Sequence, residues 1–279
     1  MPYSAEVSRT NPACVILLVD QSGSMADPFG DATGTKKKSE GVADVINRLL
    51  QNLVLKCSKE DGIRDYFHVA VIGYGDRVGP AFTGALSGRD LAPIGAIGNN
   101  PAKIEARAKK TDDGAGGILE QNIRFPIWLE ATASGGTPMS QALRSAKDTA
   151  ASWISSHPSG FPPVIINITD GEATDGDPRQ DAAAIRQLES GDGRVLLFNI
   201  HISSQRAAPI EFPATPAGLP DRFAEQLFEM SSELPPHMVS VARQDGLPVG
   251  DGSRGFAFQA DMVALIRFLD IGTRPSGLR

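Results

Sequence analysis

Residues 14–19, CVILLV, form an unbroken apolar run with no alternation, too short for a typical helix. A strand of this kind has no position that tolerates water, so it must lie inside a sheet covered on both faces. Residues 66–74 (YFHVAVIGY) give a second strand, and 163–169 (PVIINIT) and 194–201 (RVLLFNIH) give two more. Helical spacing fills the intervals. Val42, Val45, Ile46, Leu49, Leu50 and Leu53 form one apolar stripe over 39–57. Met139, Ala142, Leu143, Ala146, Ala150, Trp153 and Ile154 form another over 137–155, with Pro138 in the first turn. Residues 181–188 supply a helix between the last two strands. Strands alternating with helices predict an α/β fold with a mainly parallel sheet and helices on both faces.

The interval 76–134 fits this rhythm poorly and reads as an insertion: an edge hairpin over 82–94, a short charged helix over 99–110 and a glycine-rich turn over 111–117. Beyond 201 a proline-rich loop leads to a helix over 221–230, and 261–269 reads as a terminal helix. One domain with a core of about 13–272 is expected. With 41% hydrophobic and 22% charged residues in 279, the chain has a globular composition. A net charge of -6 gives no electrostatic reason to expect nucleic acid or an anionic membrane as partner. The start carries no basic stretch followed by an apolar core, and no apolar run approaches the ~18 residues of a span, so a cytoplasmic protein is expected. Cys14 and Cys57 lack metal-ligand spacing and read as reduced, structural thiols.

In open α/β sheets ligands gather beyond the carboxyl ends of the strands. Three loops matter there. The first strand ends in Asp20-Gln21-Ser22-Gly23-Ser24, the 163–169 strand in Thr169-Asp170-Gly171, and Gly135-Gly136-Thr137-Pro138 opens the helix between them. Together they offer two carboxylates and three hydroxyls. Oxygen-only donors suit a hard cation such as Mg²⁺, with Mn²⁺ as its natural substitute. Alternate residues of an extended turn project the same way, and Gly23 permits a bend that a larger residue hinders.

The DxSxS run at 20–24, the GGTP threonine at 137 and the TDG aspartate at 170 resemble the metal-ion-dependent adhesion site (MIDAS) of von Willebrand factor A (vWA) domains. That resemblance implies a Rossmann-like six-stranded sheet with one antiparallel edge strand. It also implies hydroxyl ligands from Ser22, Ser24 and Thr137, with Asp20 and Asp170 binding directly or through water. The last metal position would take an Asp or Glu from a protein partner. Neutral hydroxyls and only two carboxylates leave a divalent ion electrophilic toward such a group. The runs GGTPM, PPVIINITDGE and FLDIGT further resemble stand-alone bacterial A domains of tellurium-resistance and stress-response clusters, which implies a co-encoded kinase or phosphatase as partner and a terminal helix that shifts with coordination.

The rival reading is a Mg²⁺-dependent hydrolase or phosphotransferase with Asp20 as nucleophile. It lacks a general base and a phosphate loop, and Ser22 stands where a second aspartate is required. A non-enzymatic binding module is therefore expected. Other motifs read structurally. Residues 30–36 lack phosphate-loop spacing and form a rim loop; the acidic 170–177 loop lacks calcium-loop spacing and is a solvated rim. His68, His157, His201 and His237 show no ligand spacing, Lys36-Lys37-Lys38 is the solvated start of a helix, and Trp128 and Trp153 are core or rim anchors.

Overall fold

The computed structural model describes residues 2–29, 36–112, 118–204 and 208–273. The first strand, β1 (Ala13–Asp20), is buried at every position. It is followed by α1 (Lys38–Cys57), β2 (Phe67–Tyr74), β3 (Val78–Pro80), β4 (Ala92–Pro93), α2 (Ile94–Asn99), β5 (Lys103–Asp112) and β6 (Ile118–Ile127). Then come α3 (Met139–Ser156), β7 (Val164–Thr169), α4 (Arg179–Gln187), β8 (Leu196–Ile202) and β9 (Ile210–Glu211). The chain continues through α5 (Arg222–Met230), α6 (Pro236–Gln244), β10 (Phe256–Ala260) and α7 (Met262–Gly272).

Five strands run parallel in the order β10-β8-β7-β1-β2. β3 adds an antiparallel edge on β2, as expected for six strands. Among the described residues the sheet totals eight, because β4 also pairs with β2 and β9 with β10, each through two residues. The lack of alternation in β1 follows from its surroundings. Val15, Leu17 and Val19 pack with Ile46 and Leu50 of α1 and Phe268 of α7, while Cys14, Ile16 and Leu18 pack with Leu143 of α3 and Ile185 of α4. Full burial of each such side chain contributes about 1.5–3 kcal/mol. Both cysteines are free and buried, and burial pushes both thiols up, which keeps them protonated.

The insertion departs from its sequence reading. The expected charged helix over 99–110 is instead β5, paired antiparallel with β6 from Lys103↔Ile127 to Asp112↔Ile118. The pattern Lys103-Ile-Glu-Ala-Arg-Ala has period two, which a ribbon satisfies and a helix does not. Arg107 secures it, lying 3.9 Å over the Phe125 ring and pairing with Glu105 and with Asp44 of α1, each at 2.8 Å. No hairpin forms over 82–94: β3 and β4 each lie along β2, with a 3-10 turn at Gly84–Leu86 between them. Of the expected glycine-rich turn, 113–117 lie outside the described residues, as do 30–35 of the rim loop.

α1 holds the far end of this segment through a buried amide. Asn47 accepts from the backbone N–H groups of Trp128 (2.8 Å) and Leu129 (3.0 Å) and donates to the Leu129 carbonyl (2.8 Å). Trp128 is a core anchor whose indole N–H reaches the Ile97 carbonyl at 2.6 Å; Trp153 is buried and stacks on His157. Among the elements with no counterpart in the sequence reading are α2, α6, β9 and β10. β10 closes on β8 because Gly255 precedes it: a Cβ there would stand 2.0 Å from the Phe198 ring. No helix among the described residues is long and apolar enough to cross a membrane.

Candidate metal centre

The carboxyl ends of β1 and β7 are neighbours in the sheet, so Asp20 and the residues after Ile168 meet without any long-range adjustment. Asp20 is 1% exposed. One carboxylate oxygen accepts the Ser22 N–H at 2.9 Å and the other accepts the Thr169 hydroxyl at 2.8 Å. Burial pushes its carboxyl above the usual range, and the bonds from Ser22 and Thr169 oppose that shift. Ser22 leads into the 3-10 turn Gly23–Ala26, and its Oγ lies 3.0 Å from Ser24 Oγ. Ser24 in turn donates to Asp170 Oδ1 at 2.8 Å. Asp20 is thus tied to Ser22 through its backbone N–H, and an oxygen path runs from Ser22 through Ser24 to Asp170.

Thr137 comes to this place through its backbone. Gly23 N–H donates to the Gly135 carbonyl (3.0 Å), Ser134 N–H to the Gln21 carbonyl (2.6 Å), and Thr137 and Thr174 exchange bonds of 2.9 Å. Gly135 has φ +80°, and a Cβ there would meet the Asp76 backbone N at 2.5 Å, so the approach needs glycine. The acidic loop is a rim, yet it is also structural: Asp175 accepts from the N–H groups of Ser140 and Gln141 and caps the first turn of α3.

Lys38 corrects the sequence reading. It is not solvated but 5% exposed, and its ammonium donates to Asp170 Oδ2 at 2.9 Å, with the exposed Asp27 3.8 Å away. The side chain of Asp170 is fully buried. A carboxylate so placed needs a positive neighbour, and Lys38, in the first turn of α1, provides it. Thr169, Thr174 and Lys38 are the residues that sequence reasoning did not assign to the site.

The donor set suits a small divalent cation. Ligands at ~2.0–2.1 Å in an octahedron stand about 2.9 Å apart along each edge. The Ser22–Ser24 and Ser24–Asp170 oxygen separations, 3.0 and 2.8 Å, match that edge. Among the described residues no group of three or more His, Cys, Asp and Glu side chains is positioned to hold a metal.

His201, opposite Thr169 on β8, lies beside the site. It stacks 4.3 Å from Phe258 and accepts the Gln259 N–H on Nδ1 at 3.2 Å, which requires the neutral ring. Burial, partly offset by Asp170, lowers its pKa to about 4. The folded state then binds fewer protons than the unfolded chain between about pH 6.5 and 4, so stability falls as pH drops through that window, by roughly 3 kcal/mol in all. Asp20, shifted up, works in the opposite sense. The His201 contribution is therefore read by difference: urea midpoints at pH 7 and 5 should fall less in His201→Phe than in wild type, and equal falls would count against it.

No family model and no curated protein sequence matches the chain. Among solved structures it is similar to proximal thread matrix protein 1 from the mussel byssus, at 15% identity over 82% of this chain and 42% of that one, TM-score 0.43. It is also similar to the ArnB paralog VWA2 from Sulfolobus acidocaldarius (14% identity, 70% and 36% covered, TM-score 0.38). A third is the vWF domain of the type V pili tip protein Mfa5 from Porphyromonas gingivalis (14%, 58% and 39%, 0.31). The chain spans less than half the length of each.

Proposed function

We propose that this chain is a protein-binding module that uses a metal-ion-dependent adhesion site, with Asp20, Ser22, Ser24, Thr137 and Asp170 holding Mg²⁺ or Mn²⁺. The observation that carries the reading is the hydrogen-bonded chain at the carboxyl ends of two central strands, in which Asp20 takes the Ser22 N–H and the Ser22 and Ser24 hydroxyls lead to Asp170. When bound, the cation supplies a Lewis-acidic position for an Asp or Glu of a partner protein. The chain's own residues set that chemistry. Two carboxylates balance a divalent charge, and the neutral hydroxyls of Ser22, Ser24 and Thr137 add no further anionic ligand to repel an incoming carboxylate. No catalytic residue is assigned.

Lys38 belongs to this reading. Its ammonium neutralises Asp170 before a cation arrives, and the exposed Asp27 offers it a second acceptor when Asp170 is taken. Lys38 thus competes with the cation for one carboxylate.

Affinity capture in Mg²⁺ against EDTA tests the module. Wild type should retain a protein that EDTA releases, and Thr137→Ala and Asp20→Ala should lose it while keeping the far-UV spectrum of the fold. Metal-independent capture, or equal capture by both variants, would sink the proposal.

A further inference from the structure

A second feature lies at the opposite end of the sheet. Arg194, Val195 and Leu196 lead into β8 at its amino end, where they border a cleft of about 720 Å³. Arg186, Arg243 and Arg254 line the same cleft. This is a size typical of small-molecule sites, about 300–1,000 Å³. Four arginines thus border one cleft in a chain whose formal charge is -6.

Five arginines elsewhere in the chain are neutralised; among the described residues these four, like Arg48 and Arg77, are not. Arg64, Arg107, Arg144, Arg179 and Arg267 are paired with carboxylates, whereas among the described residues none of the cleft arginines lies within 4.0 Å of one. Glu233 and Asp251 also line the cleft, but not at pairing distance. Arg254 is occupied by the carbonyls of Phe228, Glu229 and Ser231 at 3.2–3.3 Å, and Arg243 by that of Val249 at 3.0 Å. These two are fixed in place by backbone and contribute charge from set positions.

Arg186 is different. Among the described residues its one hydrogen bond is a long one, 3.5 Å from Nη1 to the Ser231 carbonyl, and its buried Nε has no partner. Burial and the nearby charge of Arg254 both work against its protonated form. A buried, unpaired donor beside a like charge is a costly arrangement that an anion would relieve. Guanidinium forks match the oxygens of a phosphate two at a time. The rest of the wall mixes serines and the two carboxylates with apolar side chains, Leu234 and Val239 among them.

We propose that this cleft is a binding site for a phosphorylated small molecule, its phosphate held by Arg186 and Arg194 and its uncharged part resting on Leu234 and Val239. The site is separate from the metal centre and does not rest on it.

Titration calorimetry on the whole chain in EDTA tests the assignment with ADP, inorganic phosphate and adenosine as probes. ADP or phosphate should bind saturably, with affinity falling as salt rises. Arg186→Gln and Arg194→Gln should each weaken binding at least tenfold, while Asp20→Ala leaves it unchanged; circular dichroism checks that each variant is folded. Absence of saturable binding by both ADP and phosphate, binding unaffected in both arginine variants, or adenosine binding as tightly as ADP would overturn it.

Discussion

Lys38→Met should raise the affinity for Mn²⁺ or Mg²⁺ at least tenfold and lower the stability of the metal-free chain by about 3 kcal/mol. The two effects share one cause. Two carboxylates, Asp20 at 1% exposure and Asp170 with a fully buried side chain, share one buried ammonium, that of Lys38, 2.9 Å from Asp170. Methionine fills much the same space without the charge, so Asp170 is left buried and uncompensated. A divalent cation then enters without displacing a tethered competitor, and its binding restores stability by mass action. Calorimetric Mn²⁺ titration and urea unfolding in EDTA and in Mg²⁺ read both halves. Unchanged Mn²⁺ affinity in Lys38→Met, with wild type binding, refutes the competition; no binding by either protein refutes the metal centre itself.

Asn47→Leu should cost about 3–5 kcal/mol, the largest loss expected from a single side chain remote from the site. Leucine is nearly isosteric, so packing is conserved and the change isolates the polar contacts. Asn47 satisfies two backbone donors and one acceptor at Trp128 and Leu129, on a chain segment buried against α1. Without the amide those groups stay buried and unpaired. Thermal and urea unfolding measure the loss; a change under about 1 kcal/mol would show that apolar packing alone secures this segment.

The parallel core was legible because CVILLV and its companions tolerate only one environment, a strand covered on both faces. The oxygen donors were legible too, since DxSxS, GGTP and TDG occupy strand ends and a helix start that the alternation itself locates. The ribbon was not. Its period-two signal is carried by Ile104, Ala106 and Ala108, and its stability comes from Arg107 reaching Asp44 across 63 positions of sequence, which no local pattern displays. β10 was missed because five residues, FAFQA, give too short a run to separate strand from loop. Lys38 left one clue. A lysine in the first turn of a helix opposes the helix dipole, and such a placement asks for a compensating anion nearby; only the fold reveals that the anion is Asp170, 132 positions away.

The backbone bonds that tie Gln21 to Ser134, Gly23 to Gly135 and Thr137 to Thr174 also bear on speed. Loops already joined to one another when the chain folds have little conformational freedom left to lose when a partner arrives. Under the proposed function, encounter with such a surface is limited by diffusion and orientation rather than by rearrangement, and differences between competing partners should be expressed in how long each one stays.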